Sequence, residues 1–206
     1  MELKIDYRDE LVLYTQKVFR AVVDSTARPG NFNVIDPFPH LADSMKGEIS
    51  PYSFGIAYTF LDTEVDFHIV GKNTEKLAKY LSLETNSQAT SIAKADFIFL
   101  DTNQDPEVLL EAKRGTLNYP DQGATIVLEG ANLGSGADCP GVTIKLTGPG
   151  IAEQKEMFIG SLTKEHIKIL QEINCEFPLG VDLIIVGETG LVVLPRSIKI
   201  ELRRNN

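Results

Sequence analysis

Three arginines stand directly beside turn-forming residues: Arg28 before Pro29-Gly30, Arg114 before Gly115-Thr116, and Arg196 between Pro195 and Ser197. A guanidinium is always charged, and its planar fork matches a carboxylate or a phosphate. Three such groups near loop mouths suit an anionic ligand or an acidic partner surface. Arg28, Arg114, Thr116 and Arg196, with Asp182, are therefore the candidate ligand-binding residues. Each has a plainer reading beside it. Arg114 falls in the last turn of an expected helix, where a cation suits the dipole, and Arg196 is able to snorkel to the end of a strand.

Asp182 and Arg196 belong to the stretch around which the chain is organised, residues 174–200. Two apolar runs, Val181–Val186 and Leu191–Leu194, flank Gly187-Glu188-Thr189-Gly190, the pattern of a β-hairpin. Both runs are apolar on both faces, so the hairpin should be covered on both sides. If Val186 pairs with Leu191, Asp182 falls opposite Pro195 and Val181 opposite Arg196. Asp182 and Arg196 would then point to different faces and form no simple ion pair. Pro195 cannot donate to a ladder, and a one-residue slip at a bulge there would turn Arg196 over.

Other reactive groups are scattered. His40, His68 and His166 lie in separate segments without metal-ligand spacing, and His166 reads as an exposed helix residue beside Glu165. Cys139 and Cys175 have no C-x-x-C spacing, which points to neither a zinc site nor a disulfide framework and suits a reducing compartment. No Ser or Cys has an evident His partner. Asp62, Asp66 and Asp96 are carboxylates at strand ends, where open α/β sheets place ligands. The Gly134-Ser135-Gly136 loop looks like a phosphate cradle. It lacks a Gly-Lys-Ser/Thr ending and is followed by a strand, so it reads as a connector.

The elements that position these groups alternate in type. Residues 8–25 have helical spacing, with Leu11, Val12, Val18, Phe19, Val22 and Val23 on an apolar face, and Arg28-Pro29-Gly30 stops the helix. Residues 33–50 read as loop. Ser50-Pro51 starts a second helix, and Asp105-Pro106-Glu107 repeats that start in a helix ending at Gly115. Thr163 caps another over 164–173. Strands are expected at 65–70, 95–100, 124–129 and 142–147, with 151–159 ambiguous. Helices between early strands imply parallel crossovers, and short late connections imply antiparallel pairing. The fold class is α/β, a three-layer sandwich on a mixed sheet, in a single domain over residues 1–206.

Bulk composition narrows the function. The chain has 206 residues, 43% of them hydrophobic and 24% charged, enough for a real core. Its formal charge of −9 argues against sequence-independent nucleic-acid binding. No apolar run approaches membrane-spanning length, and the amino-terminal MELKIDYRDEL has no signal-peptide core. A cytoplasmic protein is the expectation, with no nucleic acid and no membrane as partner.

Several blocks carry a family resemblance: FRAVVDSTARPG at 19–30, ADFIFL at 95–100, KRGTLNYPDQGATIVL at 113–128, LTGPGI at 146–151, and FPLGVDLIIV followed by LPRSIKI at 177–200. Together, and in this order, they resemble the H subunit of the bacterial carbon–phosphorus lyase system over nearly the full chain. The resemblance implies a part in phosphonate breakdown. With the G, I and L subunits, such proteins support attachment of a phosphonate to the ribose of a nucleoside triphosphate, displacing the base. The product with methylphosphonate is α-D-ribose 1-methylphosphonate 5-triphosphate. The resemblance also implies assembly with the G, I and J subunits in a core complex. The implied fold is similar to the large domain of pyridoxal-phosphate-dependent transferases, without that cofactor. The family offers no agreed catalytic residues to carry over.

Three readings follow. The first is an accessory subunit, not catalytic alone, with a nucleotide or phosphonate pocket lined by Arg28, Arg114, Thr116 and Arg196. The second is a stand-alone transferase or hydrolase acting on a phosphorylated small molecule. The third is a pure interaction module, with a homodimer of the isolated chain as one form. No metal and no cofactor are expected.

Overall fold

The computed structural model describes residues 7–133 and 139–203. The first strands along the chain are β1 (Asn33–Val34), β2 (Asp66–Val70), β3 (Gln88–Ala89), β4 (Phe97–Asp101) and β5 (Thr125–Glu129). Next come β6 (Gly141–Thr147) and β7 (Lys155–Gly160), then β8 (Asp182–Val186), β9 (Gly190–Leu194) and β10 (Lys199–Leu202). Seven of these form one mixed sheet in the order β1-β9-β8-β5-β4-β2-β3. Its centre, β8, β5, β4, β2 and β3, is parallel, and β9 runs against its neighbours on both sides. The remaining three form an antiparallel sheet, β10-β6-β7.

Strand alternation sorts the core into two layers. Ile126, Leu128, Leu183 and Ile185 face one side, and Val127, Phe99, Ile184 and Val186 face the other. The second side is covered by helices α1 (Tyr7–Ala27), α2 (Pro51–Phe60) and α3 (Thr74–Thr85). The first is covered by α4 (Lys164–Ile173), a 3-10 helix over Pro106–Glu111 and the three-stranded sheet. Phe54, Phe67, Ile126 and Leu128 are essentially sealed from solvent. Each such side chain contributes about 1.5–3 kcal/mol relative to leaving it exposed. The hairpin of β8 and β9 is buried on both faces, as its apolar runs require, and Val186 does pair with Leu191.

Helix starts follow the capping residues. Ser50 Oγ accepts the Tyr52 N–H at 3.2 Å, with Pro51 in the first turn of α2. Thr163 forms a capping box with His166, whose Nδ1 accepts the Thr163 N–H at 3.3 Å. That contact draws the imidazole inward. His166 is buried, not exposed as its charged neighbours suggest.

Two other expectations need correction. The Asp105-capped helix is a 3-10 helix that stops at Glu111, so Lys113 and Arg114 lie beyond it and meet no helix dipole. In α1, Val12, Phe19 and Val23 are at least half exposed. The buried line runs through Leu11, Tyr14, Val18 and Ser25 instead. Tyr14 and Ser25 are polar-ended, which hid that line from a count of apolar residues. Each is satisfied inside: Tyr14 donates to the Asp36 carbonyl at 3.1 Å, and Ser25 Oγ accepts the Val193 N–H at 2.7 Å.

Candidate functional site

The sheet has a reversal of winding between β2 and β4. From β2 the chain passes through α3 on one face to reach β3; from β4 it passes through the 3-10 helix on the other face and heads the opposite way to β5. In open α/β sheets such a switch point opens a crevice beyond the carboxyl ends of the strands. A cavity of about 490 Å³ is found there, lined by Gly71, Lys72 and Asn73 after β2, by Asp101, Asn103 and Gln104 at the end of β4, and by Glu129. A second cavity, of about 860 Å³, extends along the same edge past β5 and β8. Phe32, Pro51, Tyr52, Leu133 and Val186 give it apolar walls. Glu129 lines both.

Glu129 is the last residue of β5 and pairs across the ladder with Asp101, the last of β4. Its Oε2 accepts the Ser50 N–H at 3.3 Å, at the amino end of α2. Burial pushes its carboxyl above the usual glutamate range, and the nearby Asp101 charge acts in the same direction. The Ser50 amide and the Ser53 hydroxyl oppose the shift. Ser53 itself is fully buried, and its Oγ has no hydrogen-bond partner of ordinary geometry. Asp101 differs. Its Oδ1 accepts both the backbone N–H and the side-chain amide of Asn103, each at 2.7 Å.

The residues singled out from the sequence lie elsewhere, most of them at the opposite, amino edge of β5 and β8. Asp182 and Arg196 are partners there. Nη2 of Arg196 donates to Asp182 Oδ2 at 2.6 Å, and its backbone N–H donates to Oδ1 at 2.8 Å. The two expected faces collapse into one site because β9 ends at Leu194. Residues 195–198 form a turn, closed by Ile198 N–H to the Pro195 carbonyl at 2.9 Å, and the chain leaves for the other sheet. Arg196 therefore lies past the end of β9 and is not bound to the face that the ladder register assigns it. Its guanidinium also donates to the carbonyls of Pro120 and Gly123, leaving the side chain only 13% exposed.

Arg114 and Thr116 lie in the loop that Arg196 grips. Arg114 bridges to Gly123 through the backbone, and its carbonyl accepts the Gly180 N–H at 2.9 Å. Its guanidinium has no hydrogen bond or ion pair among the described residues. Thr116 closes the turn, its Oγ1 accepting the Tyr119 N–H at 3.1 Å. Leu117, Tyr119 and Phe177 are exposed on these two neighbouring loops. Arg28 stands apart, ion-paired with Asp24 on α1.

The carboxylates at strand ends divide in an instructive way. Asp66 and Asp96 sit at the amino ends of β2 and β4, away from the crevice, and Asp62 caps a turn by accepting the Glu64 N–H at 2.8 Å. Asp96 binds the Asp66 N–H at 2.8 Å and pairs with Lys113. The carboxylates that do reach the crevice, Asp101 and Glu129, were visible as the last residues of the two apolar runs. The histidines do not converge: His40 meets Glu10 at 3.0 Å and His68 meets the Thr90 carbonyl at 2.7 Å. Among the described residues no cluster of His, Cys, Asp or Glu could hold a metal ion. No helix among them is long and apolar enough to cross a membrane. The Gly134-Ser135-Gly136 loop lies outside the described residues.

Comparison with known proteins gives these sites a family context. One curated relative is a putative C-P lyase subunit protein, HtxG, of Stutzerimonas stutzeri, 36% identical over 118 residues. That match spans about half of each protein, 56% of this chain and 56% of the relative. Another is the alpha-D-ribose 1-methylphosphonate 5-triphosphate synthase subunit PhnH of Rhizobium meliloti (strain 1021), 24% identical over 192 residues and 92% of each chain. The family model of the bacterial phosphonate metabolism protein, PhnH, matches residues 7–201. That span takes in both edges of the sheet, and on it the chain belongs to the PhnH family of bacterial phosphonate metabolism proteins.

Proposed function

We propose that this chain is the H-type subunit of a carbon–phosphorus lyase system. With G, I and L subunits it supports formation of α-D-ribose 1-methylphosphonate 5-triphosphate from a nucleoside triphosphate and methylphosphonate, and with G, I and J subunits it enters a core complex. The names of the relatives support this reading. A reducing cytoplasm suits its two cysteines, which are not bonded to each other. A fold like the large domain of pyridoxal-phosphate-dependent transferases, working without that cofactor, suits a seven-stranded sheet with a single reversed strand.

One observation carries the idea of a subunit acting through partners. Loops far apart in sequence converge at the amino edge, where Arg196 grips Pro120 and Gly123 and the Arg114 carbonyl holds Gly180. They expose Leu117, Tyr119 and Phe177, and the Arg114 guanidinium has no partner among the described residues. A rigid apolar rim beside an available cation suits docking against an apolar surface that carries a carboxylate. Of the five candidate residues, Arg114 and Thr116 would touch the partner or an anionic ligand. Asp182 and Arg196 would shape the platform, and Arg28 would act from its ion pair with Asp24.

Co-purification with the other subunits, followed by release of base from a nucleoside triphosphate, tests this. Base release should require the chain, and Phe177→Asp should reduce recovery of the complex without unfolding the protein. Equal base release with the chain left out overturns the proposal. The Asp101–Glu129 pair favours one second reading, a stand-alone transferase or hydrolase. Nucleotide turnover by the isolated chain, lost in Glu129→Gln, would replace the first reading with that one.

A further inference from the structure

We infer that the crevice at the carboxyl edge is a binding site for ribose phosphates, nucleotides included, with the phosphate at Lys72 and the sugar hydroxyls over Asp101 and Glu129. The first argument is which groups are already taken. Asn73 and Lys76 both bond to Glu48, at 2.7 and 3.1 Å. Lys72, between β2 and α3, has no such partner among the described residues; it is exposed and lines the 490 Å³ cavity. An available ammonium at the mouth of a switch-point crevice is a phosphate contact in waiting.

The second argument is the floor. Asp101 keeps Oδ2 clear of the Asn103 bonds, on the side of Gly130. Glu129 has one backbone donor, the Ser50 N–H at 3.3 Å. Carboxyl groups on residues paired across two neighbouring strands suit the paired hydroxyls of a furanose. Asn103 and Gln104 line the same cavity.

The third argument is what lies beyond. The apolar 860 Å³ cavity begins where the first ends, at Glu129, and Phe32 and Tyr52 line it. Whatever the sugar carries opposite its phosphate would enter there, and a flat base suits such walls. Assigning this ligand rests on the proposed function only for which ribose phosphate is used in the cell. The site itself stands on the chain alone.

Calorimetry on the isolated full chain, with no other subunit present, tests it. The probes are ATP, ribose 5-phosphate, tripolyphosphate and adenosine. ATP should bind more tightly than either tripolyphosphate or adenosine, and ribose 5-phosphate should compete with it. Lys72→Ala should weaken ATP and tripolyphosphate by roughly ten-fold or more and leave adenosine unchanged. Glu129→Gln should weaken ATP, ribose 5-phosphate and adenosine and leave tripolyphosphate unchanged. No binding of ATP at millimolar concentration to the folded chain overturns the inference, as do variants that bind all four probes like the parent. If the complex forms and releases base while the isolated chain binds nothing, the crevice assignment falls and the subunit reading stands. Binding with no complex formation sinks the subunit reading alone.

Discussion

At the amino ends of β5 and β8, Arg196 meets Asp182, Pro120 and Gly123, and the guanidinium is nearly closed off from water. At the carboxyl ends of the same two strands, Glu129 has one backbone donor and cavities on both sides. The strands are shared, so the difference lies in the loops. At the amino edge Arg196 ties the loops to one another, which stiffens them and shapes a surface. Among the described residues, the carboxyl-edge loops leave Lys72 and one oxygen of Asp101 uncommitted, open to something not part of the chain. A charge near a turn is therefore not a site until its partners have been counted.

The largest expected effect tests that stiffness. Arg196→Ala leaves a part-buried Asp182 and two loop carbonyls without their donor. Removing one member of such a pair costs about 3 kcal/mol, or roughly 6–12 °C in Tm for a chain of this size. Arg196→Lys should recover only part of the loss, because an ammonium cannot span Asp182 and both carbonyls. Denaturant unfolding checks this. A loss below about 0.5 kcal/mol, the range of an ordinary surface change, would mean that the amino edge is not held by its clamp.

The same substitution made at each end gives a smaller and cleaner contrast. A Cβ on Gly123 would lie 2.3 Å from the Gly180 carbonyl oxygen and 2.4 Å from Arg196 Nη1. A Cβ on Gly187, beyond β8 at the other edge, would come no closer than 3.1 Å, to the Ala131 carbonyl oxygen. Gly123→Ala should therefore cost about 1–3 kcal/mol through overpacking, and Gly187→Ala less than about 1 kcal/mol. Equal losses in thermal unfolding would remove the distinction between a packed edge and an open one.

Much of this architecture was legible in the residues. The apolar runs Val181–Val186 and Leu191–Leu194 require a hairpin covered on both faces, and it is. Ser50-Pro51 marked the start of α2, and the hairpin register followed from its turn. What stayed hidden depended on contacts across the chain. Pro195 suits an edge, a bulge or a strand end, and nothing local chooses among them, so the ladder register alone puts Asp182 and Arg196 on different faces. Nothing local says which ends of β4 and β5 open onto a cavity, so Asp96 drew attention that belonged to Asp101 and Glu129. His166 looked exposed because its neighbours are charged, yet its ring closes a capping box. The two-residue strands β1 and β3 are too short for any periodicity to reveal.

The smallest effect concerns pH, and its sign follows from burial. Glu129 is held above its ordinary value of 4.5 in the folded chain, chiefly because burial penalises the charged form. The folded state thus binds this proton more tightly than the unfolded state does. Below the unfolded value both states are protonated and Glu129 costs the fold nothing. As pH rises from there through the folded value, ionisation becomes a cost, and stability falls. Glu129→Gln keeps the shape and removes the titration. Its stability relative to the parent should therefore rise as pH climbs from about 4.5 and then level off. Denaturant midpoints of the two proteins, taken at intervals from pH 4 to pH 8, give the difference directly. A difference independent of pH would mean that water or a second donor solvates Glu129 as well as bulk solvent does. The carboxyl edge would then be as fully satisfied as the amino edge, and the contrast between the two ends would fail at its most sensitive point.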